Sequence, residues 1–268
     1  MLRSAINLNV RNFSINCKRL EGKVAVVTAS TDGIGFSIAK RLAQEGAKVM
    51  ISSRKESNVK KAVNLLTAEG LNVSGTVCHV GKGDDRKRLF EETKSKFGGI
   101  DILVSNAAAN PTVGSLLNCS EEAWDKIFDI NVKSTFLLIK ECHPFLLNSQ
   151  SPSIIIVGSI TGFQPINLLS AYSISKTALL GLCKTAAEDL ACDGIRVNCI
   201  APGIIKTKFS KPLYETESAH EIAVSKIPMG RLGMPEEIAS LATFLASDDA
   251  SYITGENIVA AGGMQSRL

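Results

Sequence analysis

In the stretch Ser170-Ala-Tyr-Ser-Ile-Ser-Lys176, a phenol and an ammonium stand four residues apart, at Tyr172 and Lys176. Apolar residues at Ile174, Ala178, Leu179 and Leu182 recur at helical spacing, which places the two polar groups on one face, one turn apart. A cation beside a phenol favours the phenolate and is expected to draw the tyrosine below its usual pKa of about 10. A tyrosine tuned in that way can exchange a proton with a carbinol oxygen near neutral pH. The same spacing also describes two ordinary surface neighbours on a helix. What decides between them is the rest of the chain.

A second group of residues suits a different task. Lys23-Val-Ala-Val-Val-Thr28 is a β-branched run, followed by Ala29-Ser-Thr-Asp-Gly33-Ile34-Gly35 and by helical spacing from Phe36 to Gln44. Glycines in such a strand-to-helix turn let the backbone approach a pyrophosphate, and the helix N-terminus adds N–H donors and a positive dipole end. The full G-x-G-x-x-G spacing is absent. At the end of the next strand, the position that carries an acid in NAD-binding sheets is Ser53, followed by Arg54 and Lys55. A neutral serine leaves room for a ribose 2′-phosphate, and a guanidinium binds phosphate through paired charge-assisted hydrogen bonds. NADP is therefore the expected cofactor.

The elements that must position these groups alternate regularly. Strands are expected at 23–28, 49–53, 73–78, 101–105, 153–158, 195–200 and 257–260, and helices at 36–44, 57–69, 84–97, 121–148, 170–191 and 235–246. This alternation predicts an α/β fold, a single Rossmann-type doubly wound parallel sheet with helices on both faces. Ligands in such sheets bind beyond the carboxyl ends of the strands. Residues 204–232 lack firm periodicity and read as a mobile lid that chooses the substrate.

Composition narrows the function. The 268 residues are 45% hydrophobic and 21% charged, with no linker-like break after residue 20, which fits one domain over 21–265. A net charge of +4, spread along the chain without an aromatic-interleaved basic block, argues against nucleic acid. The seven cysteines show no CxxC or Cys/His ligand spacing, so reduced, mostly buried thiols are expected rather than zinc. No apolar run approaches the ~20 residues of a membrane span. Residues 1–20 carry Arg3, Arg11, Lys18 and Arg19 without an acidic residue, the profile of a mitochondrial presequence or of a disordered basic tail. Ser266-Arg267-Leu268 is similar to the C-terminal peroxisomal address Ser-Lys-Leu.

Taken in order, these residues resemble the short-chain dehydrogenase/reductase family over about 20–262. Thr28-Ala-Ser-Thr-Asp-Gly-Ile-Gly35 resembles its Thr-Gly-x-x-x-Gly-x-Gly loop, and Ser105-Asn-Ala-Ala108 its Asn-Asn-Ala-Gly. Asn131, Ser159, Tyr172-x-x-x-Lys176 and Pro202-Gly203 follow at the family's spacing. Val77-Cys-His-Val-Gly-Lys82, Lys176-Thr-Ala-Leu-Leu-Gly181 and the Ser-Arg-Leu end resemble one NADP-dependent branch that acts on retinol and carbonyl compounds. Three departures stand out. Ala29 and Ala108 replace glycines, and His79 stands where an aspartate is common near the adenine. Ala29 is expected at negative φ.

The resemblance implies hydride transfer between a nicotinamide and a carbonyl or alcohol carbon. Tyr172 is then the proton donor, Ser159 holds the reacting oxygen, and Lys176 tunes Tyr172 and binds the nicotinamide ribose. Asn131 holds a water that links Lys176 to solvent. Ser30, Val80, Asn106 and Ala107 line the cofactor cleft, with Asn106 near the adenosine ribose. Gly203 and Ile205 face the carboxamide, and Thr207 the phosphates. The resemblance further implies a homotetramer built through the helices at 121–148 and 170–191 and the last strand. Two alternatives stay open: a peroxisomal enoyl-CoA reductase, and a non-catalytic NADP-binding assembly protein.

Overall fold

The computed structural model describes residues 18–266. The described residues form seven strands: β1 (Val24–Val27), β2 (Lys48–Ser53), β3 (Val73–Val77), β4 (Ile102–Ser105), β5 (Ser153–Val157), β6 (Arg196–Pro202) and β7 (Asn257–Ala260). They lie in one sheet in the order β3-β2-β1-β4-β5-β6-β7, every pairing parallel. The order reverses between β1 and β4, so the crevice for a ligand opens beyond the carboxyl ends of these two strands. The expected doubly wound α/β fold is what the chain adopts.

Alternation along the strands feeds two cores. Ala25 and Val27, Val49 and Ile51, and Ile102 and Val104 point to one face. There α1 (Gly33–Gln44), α2 (Glu56–Ala68) and α8 (Pro235–Ala246) bury Ile38, Leu42, Leu66, Ile238 and Leu245 against them. Val26, Met50, Leu103, Ile154 and Ile156 point to the other face. They meet α3 (Gly83–Phe97), α5 (Ser134–Leu146) and α6 (Ser170–Leu190) through Leu89, Phe90, Leu138, Leu179 and Cys183. Burial on both faces is why the strands read as near-continuous apolar runs.

The region expected as one helix over 121–148 is divided. A short α4 (Glu121–Phe128), capped by Ser120, runs into a π-helical turn at Asp129–Lys133 before α5 begins. The turn inserts an extra residue into the hydrogen-bond ladder, and it carries Asn131. Residues 204–232, expected to lack regular structure, contain α7 (Glu217–Ser225), capped by Thr216. Its Ala223 joins Ile204, Ile227 and Leu232 in a small core of its own. Four apolar residues too widely spaced to show a period make that core, which is why the helix was hidden. Cys78, Cys142, Cys183 and Cys199 are buried as expected, and Cys17 lies outside the described residues, as do the basic segment up to residue 17 and Arg267-Leu268.

Candidate active site and cofactor cleft

The turn after β1 is organised by Thr28 and Asn106, which face each other across the switch point. Thr28 Oγ1 accepts the backbone N–H groups of Asn106 (3.0 Å) and Ala107 (3.3 Å), while the Asn106 amide donates to the carbonyls of Thr28 and Ala29, each at 3.1 Å. Ala29 does not keep the expected negative φ. It sits at φ 50°, a left-handed conformation that costs a side-chain-bearing residue roughly 1–2 kcal/mol. The Asn106 bonds offset that cost. Asn106 therefore shapes the loop through both of its amide hydrogens.

Gly33, at φ 57°, opens α1 beside Thr207, and Asp32 caps the helix. Gly35 cannot carry a side chain, since a Cβ there would overlap the Asn106 amide and lie 2.5 Å from the Ala29 carbonyl oxygen. Ile34 packs onto the core beneath. Ser30 lies in the same turn. It is fully buried, donates to Val27 O (2.6 Å) and accepts from Ser52 N (3.0 Å), so its side chain ties β1 to β2. Backbone N–H groups at a helix N-terminus over an unfillable glycine cradle fit a pyrophosphate.

Around this cradle the remaining cofactor candidates converge. Ser53 ends β2 half-buried, and Arg54 beside it is exposed with no hydrogen-bond or ion-pair partner among the described residues. Val80 is buried, its carbonyl held by Arg86 Nη1 at 2.6 Å, and Arg86 is in turn paired with Glu141 on α5 at 2.8 Å. His79 Nδ1 accepts from Gly81 N at 3.1 Å, which puts the ring proton on Nε2. Gly203 lies so close to β7 that a Cβ would meet Ala261 Cα at 2.8 Å. Ile205 bridges to Gly233, and Thr207 borders a cavity of about 390 Å³ at the start of α1.

At the end of β5, the turn Ile160–Gly162 folds back onto α6. Gly162 makes this possible, because a Cβ there would lie 2.8 Å from the Lys176 carbonyl oxygen. Thr177 Oγ1 donates to Gly162 O at 2.9 Å and fixes the contact. Ser159 is thereby brought near enough to Tyr172 for its hydroxyl to bear on the phenol's pKa. Lys176 Nζ lies 5.5 Å from the Tyr172 ring centre and donates to Val157 O at 2.9 Å. Ser159, Tyr172 and Lys176 thus lie together beyond the end of β5, with Tyr172 only 9% and Lys176 2% exposed.

The electrostatics differ from the expected lowering of the tyrosine. Burial pushes the Tyr172 phenol well up, and the Ser159 hydrogen bond opposes this without offsetting it. Burial also pushes Lys176 down to about 8, with the Cys199 thiol acting in the opposite sense. Lys176 is turned toward Val157 rather than the phenol oxygen, so desolvation wins over the cation. In this state Tyr172 is protonated, the form from which a proton can be donated.

Asn131 is fully buried. Its Oδ1 accepts from Ala109 N (2.7 Å), and its amide donates to Ala109 O (3.1 Å) and Ser175 Oγ (2.9 Å). Both amide hydrogens are engaged, and a water could use only a remaining lone pair of Oδ1. The side chain fastens the segment after β4 to α6. Ser175 and Thr161 were not singled out from the sequence, because small hydroxyl residues are common on helices and in turns. Phe209 was hidden in the lid, and its ring lies 6.0 Å from that of Tyr172.

A sheet of this order, with its glycine turn at the switch point, defines a dinucleotide-binding α/β protein. Comparison with known proteins narrows the class. A family model described as enoyl-(acyl carrier protein) reductase matches residues 28–265. Dehydrogenase/reductase SDR family member 4 of Oryctolagus cuniculus is 57% identical over 93% of this chain and 96% of that protein. The Homo sapiens protein of that name is 55% identical over 93% and 90%. Tropinone reductase-like 3 of Erythroxylum coca is 51% identical over 94% and 96%. A crystal structure from Agrobacterium tumefaciens, provisionally named a gluconate dehydrogenase, superposes with a TM-score of 0.89 at 26% identity, covering 94% of this chain and 99% of that one. The chain belongs to the short-chain dehydrogenase/reductase family. It is a dehydrogenase/reductase that uses a nicotinamide cofactor.

Proposed function

We propose that the protein is an NADPH-dependent reductase of ketones and aldehydes, reversible as an alcohol dehydrogenase. The observation that carries this is the convergence of Ser159, Tyr172 and Lys176 at the end of β5, beside a cleft whose second strand ends in Ser53 and Arg54. NADPH, when bound, supplies the hydride. Negative charge then develops on the substrate oxygen, where the Ser159 hydroxyl donates a hydrogen bond and Tyr172 donates its proton. Lys176 brings positive charge to the phenolate that results. Arg54 holds the 2′-phosphate, for which Ser53 leaves space.

Phe209, 55% exposed and tilted over Tyr172, favours apolar carbonyl substrates such as retinal, dicarbonyls or aromatic ketones. A second reading, reduction of an enoyl thioester, is favoured by the description of the matching family model. A non-catalytic NADP-binding role is disfavoured by the complete Ser159/Tyr172/Lys176 set. Turnover of NADPH with retinal and a diketone against a 2-enoyl-CoA separates the three. Carbonyl turnover is expected, and turnover of the enoyl-CoA alone, or of neither, would refute the reading.

The same proposal includes a homotetramer and a peroxisomal location. The first is supported by the uncovered edge strand β7 and by Phe136, exposed on α5 next to Val132 and the stacked Trp124 and Phe128. The second is supported by Ser266-Arg267-Leu268, with the basic N-terminal segment as the competing mitochondrial signal. Removing the last three residues is expected to release the protein from peroxisomes. An unchanged location would favour the N-terminal signal.

A further inference from the structure

Thr161 is buried, 3% exposed, two residues beyond Ser159. Its backbone N–H donates to Ser159 Oγ at 3.1 Å, and its own hydroxyl donates to the same oxygen at 3.0 Å. A serine hydroxyl has two lone pairs and one proton to place. With both lone pairs occupied by Thr161, Ser159 can act toward Tyr172 and the reacting oxygen only as a donor. We propose that Thr161 is a positioning residue that fixes the polarity of the hydrogen-bond chain Thr161→Ser159→reacting oxygen, so that the Tyr172 proton is kept for the substrate.

The direction matters because Ser159 and Tyr172 are both hydroxyls. If Ser159 kept a free lone pair, it could accept the Tyr172 proton in a hydrogen bond. The phenol would then point at a serine instead of at the substrate oxygen. Ser159 would also lose its role as a donor to the charge that develops there. The Thr161 hydroxyl, itself buried against Ser159, removes this alternative.

The inference rests on Ser159 and Tyr172 being the pair that meets the reacting oxygen, and the test separates the two. Thr161→Val keeps the shape and the backbone N–H while removing the hydroxyl. Carbonyl reduction is expected to lose about tenfold in kcat, with KM and the NADPH dissociation constant within about twofold. In the alcohol-oxidising direction, the limb of the pH profile that reports Tyr172 should move up by about half a unit to one unit. Thr161→Ser, which restores the donor, should return both toward the parent enzyme, and Ser159→Ala with Thr161→Val should be no worse than Ser159→Ala alone. Should the valine variant not fold, Thr161→Ala against Thr161→Ser reads the same contrast. Parent-like kcat and pH profile in the valine or alanine variant, with Ser159→Ala impaired, would overturn the Thr161 proposal alone. An unimpaired Ser159→Ala would overturn it together with the site assignment.

Discussion

The Asn106 side chain holds Ala29 in a left-handed turn: its amide reaches the Ala29 carbonyl at 3.1 Å while Ala29 stands at φ 50°. The strain sits in the turn between β1 and α1, and its restraint comes from the end of β4. The prediction is that cofactor binding and loop geometry are coupled across the switch point.

Replacing Ala29 by Gly should relieve the strain, raising stability by up to ~1 kcal/mol once the extra freedom of glycine in the unfolded chain is subtracted. Replacing Asn106 by Ala should cost roughly 1–3 kcal/mol and weaken NADPH binding about tenfold, because two carbonyls lose their donor. Urea denaturation and fluorescence titration with NADPH read both. A destabilised Ala29→Gly or an unaffected Asn106→Ala would contradict the coupling.

The cofactor preference rests on Ser53 and Arg54 at the end of β2. Changing Ser53 to Asp together with Arg54 to Ile should reverse the preference toward NADH, since a carboxylate suits a 2′-hydroxyl and repels a 2′-phosphate. The check is kcat/KM with each cofactor before and after. A parent enzyme whose efficiency with NADH equals or exceeds that with NADPH would show this reading of β2 to be mistaken.

The buried thiols give the fold an alkaline weakness. Burial raises Cys78 and Cys183 from 9.0 to about 12, and Cys199 to about 11. Above pH 9 the unfolded chain releases protons that these folded thiols keep, so stability present below pH 9 is lost as pH rises toward those values. Each thiol contributes a slope of up to ~1.4 kcal/mol per pH unit. Lys176 alone among the shifted site groups acts the other way: from about 8 to 10.5 the unfolded chain holds a proton that the folded one lacks. Urea unfolding in reductant at pH 8.5 and 10.5 should show a loss of ~2 kcal/mol or more. The loss should shrink in Cys183→Ala. A flat profile would count against buried, un-ionised thiols.

Much of this was legible in the sequence because strands buried on both faces read as β-branched runs, and the helices between them keep their period. The order of the site residues was legible for the same reason, each standing at a strand's end or on a helix face. What was not legible depends on contacts between distant segments. Nothing local to Ala29 announces a positive φ that is restrained by Asn106. The π turn at Asp129–Lys133 keeps helical composition, so Asn131 read as part of one continuous helix. The Tyr172 shift was given the wrong sign because spacing shows that a lysine is near but not that its Nζ turns to Val157 O.

The central claim is that Tyr172 delivers the proton in carbonyl reduction. It is tested most directly by single-turnover and steady-state oxidation of NADPH with a diketone, comparing the parent enzyme with Tyr172→Phe and measuring NADPH binding in parallel. Turnover is expected to fall by ~10²–10⁴ with cofactor affinity nearly unchanged. Lys176→Met should instead lose both turnover and cofactor affinity, since one ammonium serves both. Near-parental turnover in Tyr172→Phe would contradict the account.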